Sequence, residues 1–342
     1  MLRNISYIVL LCLLSISCAK ETNETRVERL QIMEVPPGFP ELDHSVGNEF
    51  TIERWDLGKK LFYDPILSKD GSISCASCHD PKLSFSDNKD FSLGVNELLG
   101  TRNAPSLANV AYHPYYTREG GVPTLEQQIL VPIQEHNEFN NNIILIADTL
   151  LTINEYVEMS IKAYNQEPNS FVITRALSQF ERSMISGQSA YDLEYHYAIE
   201  NSMSDAAIRG KQLFESNRLA CSSCHGGFNF TNYAFENNGL YLDYADEGRA
   251  RLTQNPDDIA LFKVPSLRNI TLTGPYMHDG SIETLSEVIE HYSSGGKAHV
   301  HKSDLIQPLN LTSIEKSDLI TFLESLTDQY FITNNNLSDD EI

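Results

Sequence analysis

Two copies of the pentapeptide Cys-x-x-Cys-His limit how this chain can fold. They occupy residues 75–79 and 221–225 of the 342 residues. Two thiols three positions apart lie on the same side of one helical turn, and the histidine that follows them comes to lie beneath the group that both thiols hold. Each copy therefore predicts a domain that folds around a bound group and not around side chains alone.

Three kinds of site use paired cysteines with this spacing. A redox dithiol of the thioredoxin kind needs a βαβ context, which this sequence does not show. A zinc site would draw on all four thiols and leave both histidines without a role. A covalent haem uses both thiols for the porphyrin and the histidine for the iron, and so accounts for the whole pentapeptide twice. We predict two c-type haems, attached at Cys75, Cys78 and His79 and at Cys221, Cys224 and His225.

The first 18 residues predict a signal of the bacterial lipoprotein type. A positive charge precedes residues 5–16, which are apolar but too few to span a bilayer comfortably, and the run leads to Cys18. In such signals the cysteine becomes the lipidated first residue. Ser15 stands where these signals usually have leucine, which leaves secretion with a cleaved signal as the alternative.

The sequence after the signal predicts a tether and then a folded body. Residues 19–44 are polar and then rich in proline, which suits a tether that holds a folded protein away from a membrane. We therefore expect a periplasmic or cell-envelope protein that is lipid-anchored at Cys18. The net charge of −22 repels nucleic acid and anionic lipid headgroups and favours basic or neutral partners.

The two halves of the chain repeat each other. Residues 104–110 resemble residues 264–270, and the same offset relates Gly120 to Gly280 and Leu125 to Leu285. We predict a mostly α fold of two cytochrome c-like haem domains with long loops, over residues 45–190 and 200–330. Residues 331–342 are predicted to form a tail that is disordered around Asn334–Asn336. Helices are predicted at residues 52–62, 124–133, 154–164, 171–186, 204–215, 284–292 and 313–326.

The repeat also predicts that the two haems differ. It maps Tyr292 onto Pro132, and proline has no atom that can bind iron. If Tyr292 faces the second haem, the matching place over the first haem is empty, and an iron with an open site can bind peroxide. Glu138, six residues after Pro132, could carry a proton from one peroxide oxygen to the other. The alternative interpretation of Glu138 is a solvated acid in a loop.

At this point the residues resemble the bacterial dihaem cytochrome c peroxidase family, and especially its MauG branch. The resemblance runs from about residue 50 to 330 and rests on both haem motifs together with residues 57–65, 102–106, 120–126 and 272–280. It implies a peroxidatic N-terminal haem and an electron-transferring C-terminal haem. It also implies that Gln128, Pro132 and Glu138 form the peroxide pocket.

A calcium ion between the domains is a further implication of the resemblance. Its ligands would be the side chain of Asn103 and the backbone oxygens of Thr273 and Pro275. Oxygen ligands with retained waters suit a hard cation such as calcium.

Three positions differ from the family's typical peroxidases. Residues 80–99 contain no histidine, whereas those peroxidases have a removable histidine ligand in this loop, so the first iron should be open without prior reduction. Tyr292 stands where they have methionine, and a hard anionic donor lowers the potential of the iron. Arg118 aligns with the tryptophan between the haems, so we expect weaker coupling unless Tyr115 or Tyr116 relays electrons.

Other ligands of the second iron remain as alternatives. Met277 offers a thioether, which is common in cytochromes, although we expect it to pack beside His278. His291 precedes Tyr292 and is a rival ligand. His278 itself aligns with Arg118 in the repeat and is expected to border the second haem or the gap between the domains.

Three functions follow from this sequence. The leading hypothesis is a peroxidase that reduces hydrogen peroxide at the N-terminal haem, with electrons passed through the C-terminal haem from a small cytochrome, a cupredoxin or an oxidisable substrate. The second is a MauG-like oxidase that modifies a partner protein or small molecule through high-valent haems. The third is a dihaem electron carrier without catalysis, against which Pro132 and Glu138 argue because a carrier needs both irons saturated. A homodimer, as in many relatives, remains open.

Overall fold

The computed structural model describes residues 32–42 and 47–339. The predicted signal, Cys18 and the first part of the predicted tether lie outside the described residues. Within the described part the chain is rich in helix and poor in strand, which confirms the mostly α prediction. None of the described helices is both long and apolar enough to cross a membrane.

Thirteen α-helices and two short strands are present in the described residues. The helices of the first half are α1 (Ile52–Tyr63), α2 (Leu125–Gln128), α3 (Leu130–Gln134), α4 (Ile143–Leu150), α5 (Asn154–Tyr164), α6 (Ser170–Arg182) and α7 (Ala190–Tyr195). Those of the second half are α8 (Asp205–Phe214), α9 (Cys221–Cys224), α10 (Ala250–Thr253), α11 (Leu285–Ser294), α12 (Ser313–Glu324) and α13 (Gln329–Ile332). Strand β1 (Phe235–Glu236) pairs antiparallel with β2 (Phe262–Lys263).

A closely packed helix pair supports each half. In the first half α1 crosses α6, and in the second half α8 crosses α12. Glycine allows both contacts: a Cβ on Gly58 would lie 2.0 Å from the carbonyl oxygen of Ala176, and one on Gly210 would lie 2.0 Å from that of Asp318. Any side chain at either glycine would therefore separate the helix pair.

Two hydrophobic cores surround these helix pairs. The first core draws on buried side chains between Trp55 and Met184, and the second on those between Met203 and Leu326. Phe331 and Leu337 leave the second half and return to the first core, where they are 1% and 2% exposed. The expectation of a disordered tail around Asn334–Asn336 is therefore wrong for the described residues, because flanking apolar side chains anchor that segment.

Residues 32–42 pack at the junction of the two halves. Phe39 lies against Tyr112 and Phe228, with ring centroids 5.9 and 4.8 Å apart. The guanidinium carbon of Arg268 lies 4.6 Å from the centre of the Phe39 ring. The predicted tether therefore does not extend over residues 32–42, because both halves enclose Phe39, the one aromatic side chain of this segment.

Buried polar groups join the halves at the same junction. Arg268 forms a two-pronged ion pair with Asp192 at 2.8 and 2.9 Å, and both side chains are fully buried. One carboxylate oxygen of Asp328 accepts hydrogen bonds from the backbone N–H groups of Gly187 and Gln188. Because each of these groups would be left unpaired if the halves separated, the junction is held firmly.

The backbone follows the same path before α2 and before α11. Asn109 and Asn269 both adopt the left-handed conformation with φ of 58°, and the glycines eleven residues later, Gly120 and Gly280, have φ of 72° and 70°. A short antiparallel bridge of residues 116 and 122 in the first half matches one of residues 276 and 282 in the second. The chain therefore enters α2 and α3 in the first half along the same backbone path by which it enters α11 in the second.

Between residues 124 and 150 the helices differ from the sequence prediction in two ways. The single helix expected at residues 124–133 is divided at Ile129, because Pro132 has no N–H to donate to the carbonyl of Gln128. Helix α4 was not predicted. Its buried face includes Ile143 and Ile146, but Ile144 and Leu145 are 56% and 60% exposed, which blurs the periodicity on which the prediction depends.

The return of the chain end to the first core predicts a stability effect. Phe331→Ala should lower the free energy of unfolding by about 3–5 kcal/mol, because it opens a cavity beside Phe85, whose ring centroid lies 5.7 Å away. Tyr330→Ala is the matched control, since Tyr330 is 60% exposed and its truncation should change stability by no more than about 0.5 kcal/mol. Denaturant unfolding of the haem-loaded protein checks both. Equal midpoints for the two variants would contradict an anchored tail.

Candidate functional site

Each Cys-x-x-Cys-His copy lies in the wall of its own cavity. The first cavity has a volume of about 390 Å³ and is lined by Cys75, Cys78 and His79. The second cavity, of about 260 Å³, is lined by the other three motif residues, Cys221, Cys224 and His225. The cysteine pairs thus face separate spaces, and a single four-thiol zinc site is excluded by this arrangement.

A tight turn brings each histidine under its two thiols. The N–H of His79 donates to the carbonyl of Cys75 at 3.0 Å, and the N–H of His225 donates to that of Cys221 at 2.9 Å. The first motif forms a 3₁₀ turn at Cys75–Ser77, and the second forms the single turn of α9. Both thiols and the ring of each motif therefore face one space, as attachment to one porphyrin requires.

Hydrogen bonds fix the orientation of both histidine rings. Nδ1 of His79 lies 2.7 Å from the carbonyl oxygen of Phe85, and Nδ1 of His225 lies 3.2 Å from that of Phe230. With the ring proton held on Nδ1, the lone pair of Nε2 is free to bind a metal. Burial lowers the pKa of His79 and lowers that of His225 to about 4, so both rings are neutral near pH 7. These residues fit an iron porphyrin.

Gln128 and Pro132 line the first cavity together. They stand four residues apart across the α2–α3 break, so they occupy the same face of the helical segment. Oε1 of Gln128 is buried and has no hydrogen-bond partner within the described residues. This oxygen is available to a ligand in the cavity. The side chain of Pro132 has no polar atom that could bind a ligand.

Glu138 also lies in the wall of the first cavity, and not in a solvated loop. The N–H of Phe139 donates to the carbonyl of Pro132 at 3.1 Å, which folds the chain back over α3. The N–H of Val95 then donates to the carbonyl of Glu138 at 2.9 Å and fixes its backbone. Burial, helped by the neighbouring carboxylate of Glu135, raises the pKa of Glu138 to about 7. A carboxyl group poised near neutrality is suited to proton transfer.

The loop after the first motif also reaches the first cavity. Ser92, Leu93 and Gly94 line it, and the loop brings no histidine there because residues 80–99 contain none. A Cβ on Gly94 would lie 1.9 Å from the carbonyl oxygen of Asn137, so the loop packs directly on the segment that carries Glu138.

The second cavity is lined by Tyr292 from the last turns of α11. This helix starts at a capping box in which Thr284 and Glu287 bond each other's backbone N–H groups, which fixes its first turn. Burial raises the pKa of the Tyr292 phenol to about 12. The phenolate would therefore form only where a cation in the cavity compensates the lost solvation, as a ferric iron does.

The rival ligands lie differently around the second cavity. Met277 lines it, but its sulfur lies 3.1 Å from Nδ2 of Asn238, which donates to it. His291 does not line the cavity, and its Nε2 lies 3.0 Å from the carbonyl oxygen of Asn238. His278 lines it and stacks on Phe262, with ring centroids 4.3 Å apart, as the repeat predicts for a residue at the border of the haem.

The residues expected to bind calcium do not form a suitable donor set. Oδ1 of Asn103 accepts a hydrogen bond from Nη2 of Arg118 at 3.0 Å, and Nδ2 of Asn103 donates to the carbonyl of Lys89 at 2.9 Å. The amide oxygen thus already contacts a cation. A guanidinium at this place would repel a divalent ion, so the backbone oxygens of Thr273 and Pro275 lack their side-chain partner.

Five charged residues in the wall of the first cavity were not predicted, and one of them is Glu135. Glu119 binds Arg102 and Arg251, and all three line the cavity. Glu181 also lines it, and burial raises its pKa to about 8. The sequence could have pointed to Glu181, because it is a carboxylate in the mostly apolar, buried part of α6. The suggested relays Tyr115 and Tyr116 line neither cavity in the described part of the chain.

Known proteins resemble this chain in sequence and in fold. A family model for di-haem cytochrome c peroxidases matches residues 52–198. The methylamine utilization protein MauG of Methylorubrum extorquens is 34% identical over 288 residues, which cover 83% of this chain and 80% of that protein. The cytochrome c551 peroxidase of Pseudomonas aeruginosa is 29% identical over 291 residues, which cover 82% and 80%. A MauG-like protein associated with microbial copper homeostasis has a solved structure that matches with a TM-score of 0.85 at 33% identity, covering 90% of this chain and 98% of that one. The chain therefore belongs to the di-haem cytochrome c peroxidase family.

Proposed function

We propose that this protein reduces hydrogen peroxide at the first cavity with electrons that arrive through the second. The observation that carries the proposal is the difference between the two cavities. Apart from its motif histidine, the described wall of the first cavity has Gln128, Pro132 and Glu138 but no histidine, methionine or tyrosine, whereas the second has Tyr292. One cavity is suited to a substrate and the other to electron transfer.

The residues of the first cavity supply binding and proton transfer. Bound haem supplies the redox chemistry, in which hydrogen peroxide takes up two electrons and two protons and leaves as two waters. Glu138 accepts the proton from one peroxide oxygen and returns it to the other, so that the departing oxygen leaves as water. The free Oε1 of Gln128 accepts a hydrogen bond from peroxide and orients it. Pro132 keeps the place open because it cannot bind iron.

Two related haem domains are part of the proposal. The matching φ values, bridges and helix pairs at equivalent positions support an internal repeat of residues 45–190 and 200–330. In this arrangement His79 serves the peroxidatic iron, while His225 and Tyr292 serve the electron-transfer iron. Phe331 and the segment beyond it complete the first domain although they follow the second in sequence.

The net charge bears on the electron donor, and the N-terminal sequence bears on the location. A net charge of −22 favours a donor with a basic contact surface, such as a small cytochrome c or a cupredoxin. The signal with Cys18 supports a cell-envelope location, periplasmic in a Gram-negative cell, with a lipid anchor. Calcium is not assigned a part, because Asn103 is engaged by Arg118.

A second candidate function is oxidation of a partner protein or small molecule in the manner of MauG. Tyr292 favours it, since an anionic oxygen donor stabilises oxidised iron and would let the second haem share oxidising equivalents. The lack of histidine in residues 80–99 favours it as well, because the first iron then needs no prior reduction. A carrier without catalysis is disfavoured because the described wall of the first cavity has no second histidine, methionine or tyrosine to saturate the iron.

Glu138 provides the test of the peroxidase. Glu138→Gln should lower kcat/KM for hydrogen peroxide by roughly 10²–10⁴-fold, because the amide cannot accept a proton. In the wild type kcat/KM should fall as the pH drops through about 7, where the carboxylate becomes protonated, and the variant should lose this dependence. Steady-state turnover with reduced cytochrome c or a reduced cupredoxin measures both.

The neighbouring acid gives the matched control. Glu135→Gln should keep most of the activity and move the pH dependence to lower pH, because it removes a negative charge that raises the pKa of Glu138. Wild-type activity in Glu138→Gln would remove Glu138 from the reaction. Negligible turnover of the wild type with either donor would count against the peroxidase and favour the MauG-like function.

Ligation by Tyr292 predicts a change in potential. Tyr292→Met should raise the midpoint potential of the second haem by at least about 59 mV, a tenfold change in a one-electron equilibrium, because a thioether replaces an anionic oxygen. Tyr276→Phe is the control: Tyr276 lines the same cavity, but its hydroxyl donates to the carbonyl of Ile270 at 3.1 Å. Spectroelectrochemical titration measures both variants. Equal potentials for Tyr292→Met and wild type would show that another residue binds the iron.

A further inference from the structure

Arg118 lies between the two cavities. Among the described residues it alone lines both of them. Its backbone carbonyl accepts from the N–H of Lys263 in β2, which ties the segment before α2 to the second half of the chain. The guanidinium is therefore fixed where groups bound in either cavity can approach it.

The guanidinium has too few partners for a buried cation. Nη2 donates to the backbone oxygen and to Oδ1 of Asn103, at 2.8 and 3.0 Å. Nε is buried and has no hydrogen-bond partner within the described residues. Both contacts that it does make are to neutral oxygens. An interior positive charge paired only with neutral groups is costly, so the folded protein is expected to supply an anion at this place.

The nearby carboxylates are already engaged, Asp279 by a tyrosine hydroxyl at 2.7 Å and the other two by arginines. Glu119 binds Arg102 and Arg251, and Asp246 binds Arg102 through both of its oxygens at 2.7 and 2.9 Å. Burial lowers the pKa of Arg118 to about 10, which still leaves it charged near pH 7. No ion pair within 4.0 Å joins Arg118 to a carboxylate of the described chain, so an anion on a bound group would find this guanidinium without a charged partner.

Haem brings suitable anions to this position. Each haem carries two carboxylate side chains on its edge, and a guanidinium binds a carboxylate through two parallel hydrogen bonds. We propose that Arg118 binds a haem carboxylate and holds a fixed positive charge between the two haems. This inference rests on both cavities holding haem and is independent of peroxide chemistry.

The charge has a consequence for both irons. Reduction of a haem adds a negative charge, and a nearby positive charge stabilises the reduced form. Arg118 thus raises the potential of both haems, and it opposes the lowering that Tyr292 gives to the second. Asn103 is a positioning residue in this arrangement, because it holds the guanidinium in place through two oxygens.

Charge removal at Arg118 tests the proposal. In Arg118→Gln the midpoint potential of each haem should fall by about 59 mV or more. This shift corresponds to a tenfold change in the equilibrium constant for one-electron reduction. Arg118→Lys keeps the charge and should recover most of the shift. Arg249→Gln removes an equal charge from a residue that packs on Phe235 and lines neither cavity, and it should shift each equilibrium less than threefold. Spectroelectrochemical titration of samples with two haems per chain gives all the values, with haem content checked by pyridine haemochrome absorbance.

A potential of either haem that stays unchanged in Arg118→Gln would overturn the proposal. So would an equal shift in Arg249→Gln. If Arg118→Gln fails to retain haem, a crystal structure of the wild-type haem-loaded protein decides: the guanidinium should lie within hydrogen-bond distance of a haem carboxylate, and contacts to protein oxygens alone would refute the assignment. None of these measurements uses peroxide. A protein without peroxidase turnover could therefore still show the role of Arg118, and an active peroxidase could lack it.

Discussion

A hydrogen bond from a histidine ring to a backbone carbonyl underlies each half of the site. His79 bonds to Phe85 and His225 to Phe230, and both bonds involve Nδ1. Because the ring proton is held there, Nε2 is the atom left available to an iron, and the bond keeps the ring from turning. These histidines would hold the haem in each cavity, and their rings are oriented by the protein before the group binds.

The two cavities share a framework and differ in what completes it. Gly58 and Gly210 bring equivalent helix pairs together, and Asn109 and Asn269 turn the chain in the same left-handed way. On this common framework the first cavity receives Pro132 and a folded-back loop, whereas the second receives the phenol of Tyr292. In the proposed function this difference would let one iron react and the other conduct electrons.

Local patterns made much of this predictable. Both haem motifs, the mostly α fold and the pairing of Pro132 with Tyr292 follow from spacings within short segments or from the repeat. The burial of Glu138 does not, because it depends on hydrogen bonds from residues 95 and 139 that only the folded chain brings together. The hydrogen bond from Arg118 to Asn103 is likewise made only in the folded chain, and it engages the oxygen that the family resemblance assigns to calcium. The anchored ends, through Phe39 and Phe331, depend on partners far away in sequence.

In the proposed function the first iron has an open site and the second is closed by Tyr292. Electron paramagnetic resonance of the fully ferric protein, as purified and without any reductant, distinguishes the two irons. An open iron with one histidine ligand should give a high-spin signal, and an iron with histidine and tyrosinate should give a low-spin signal, in equal amounts. Two low-spin signals would mean that protein ligands saturate both irons and that peroxide has no site on the first.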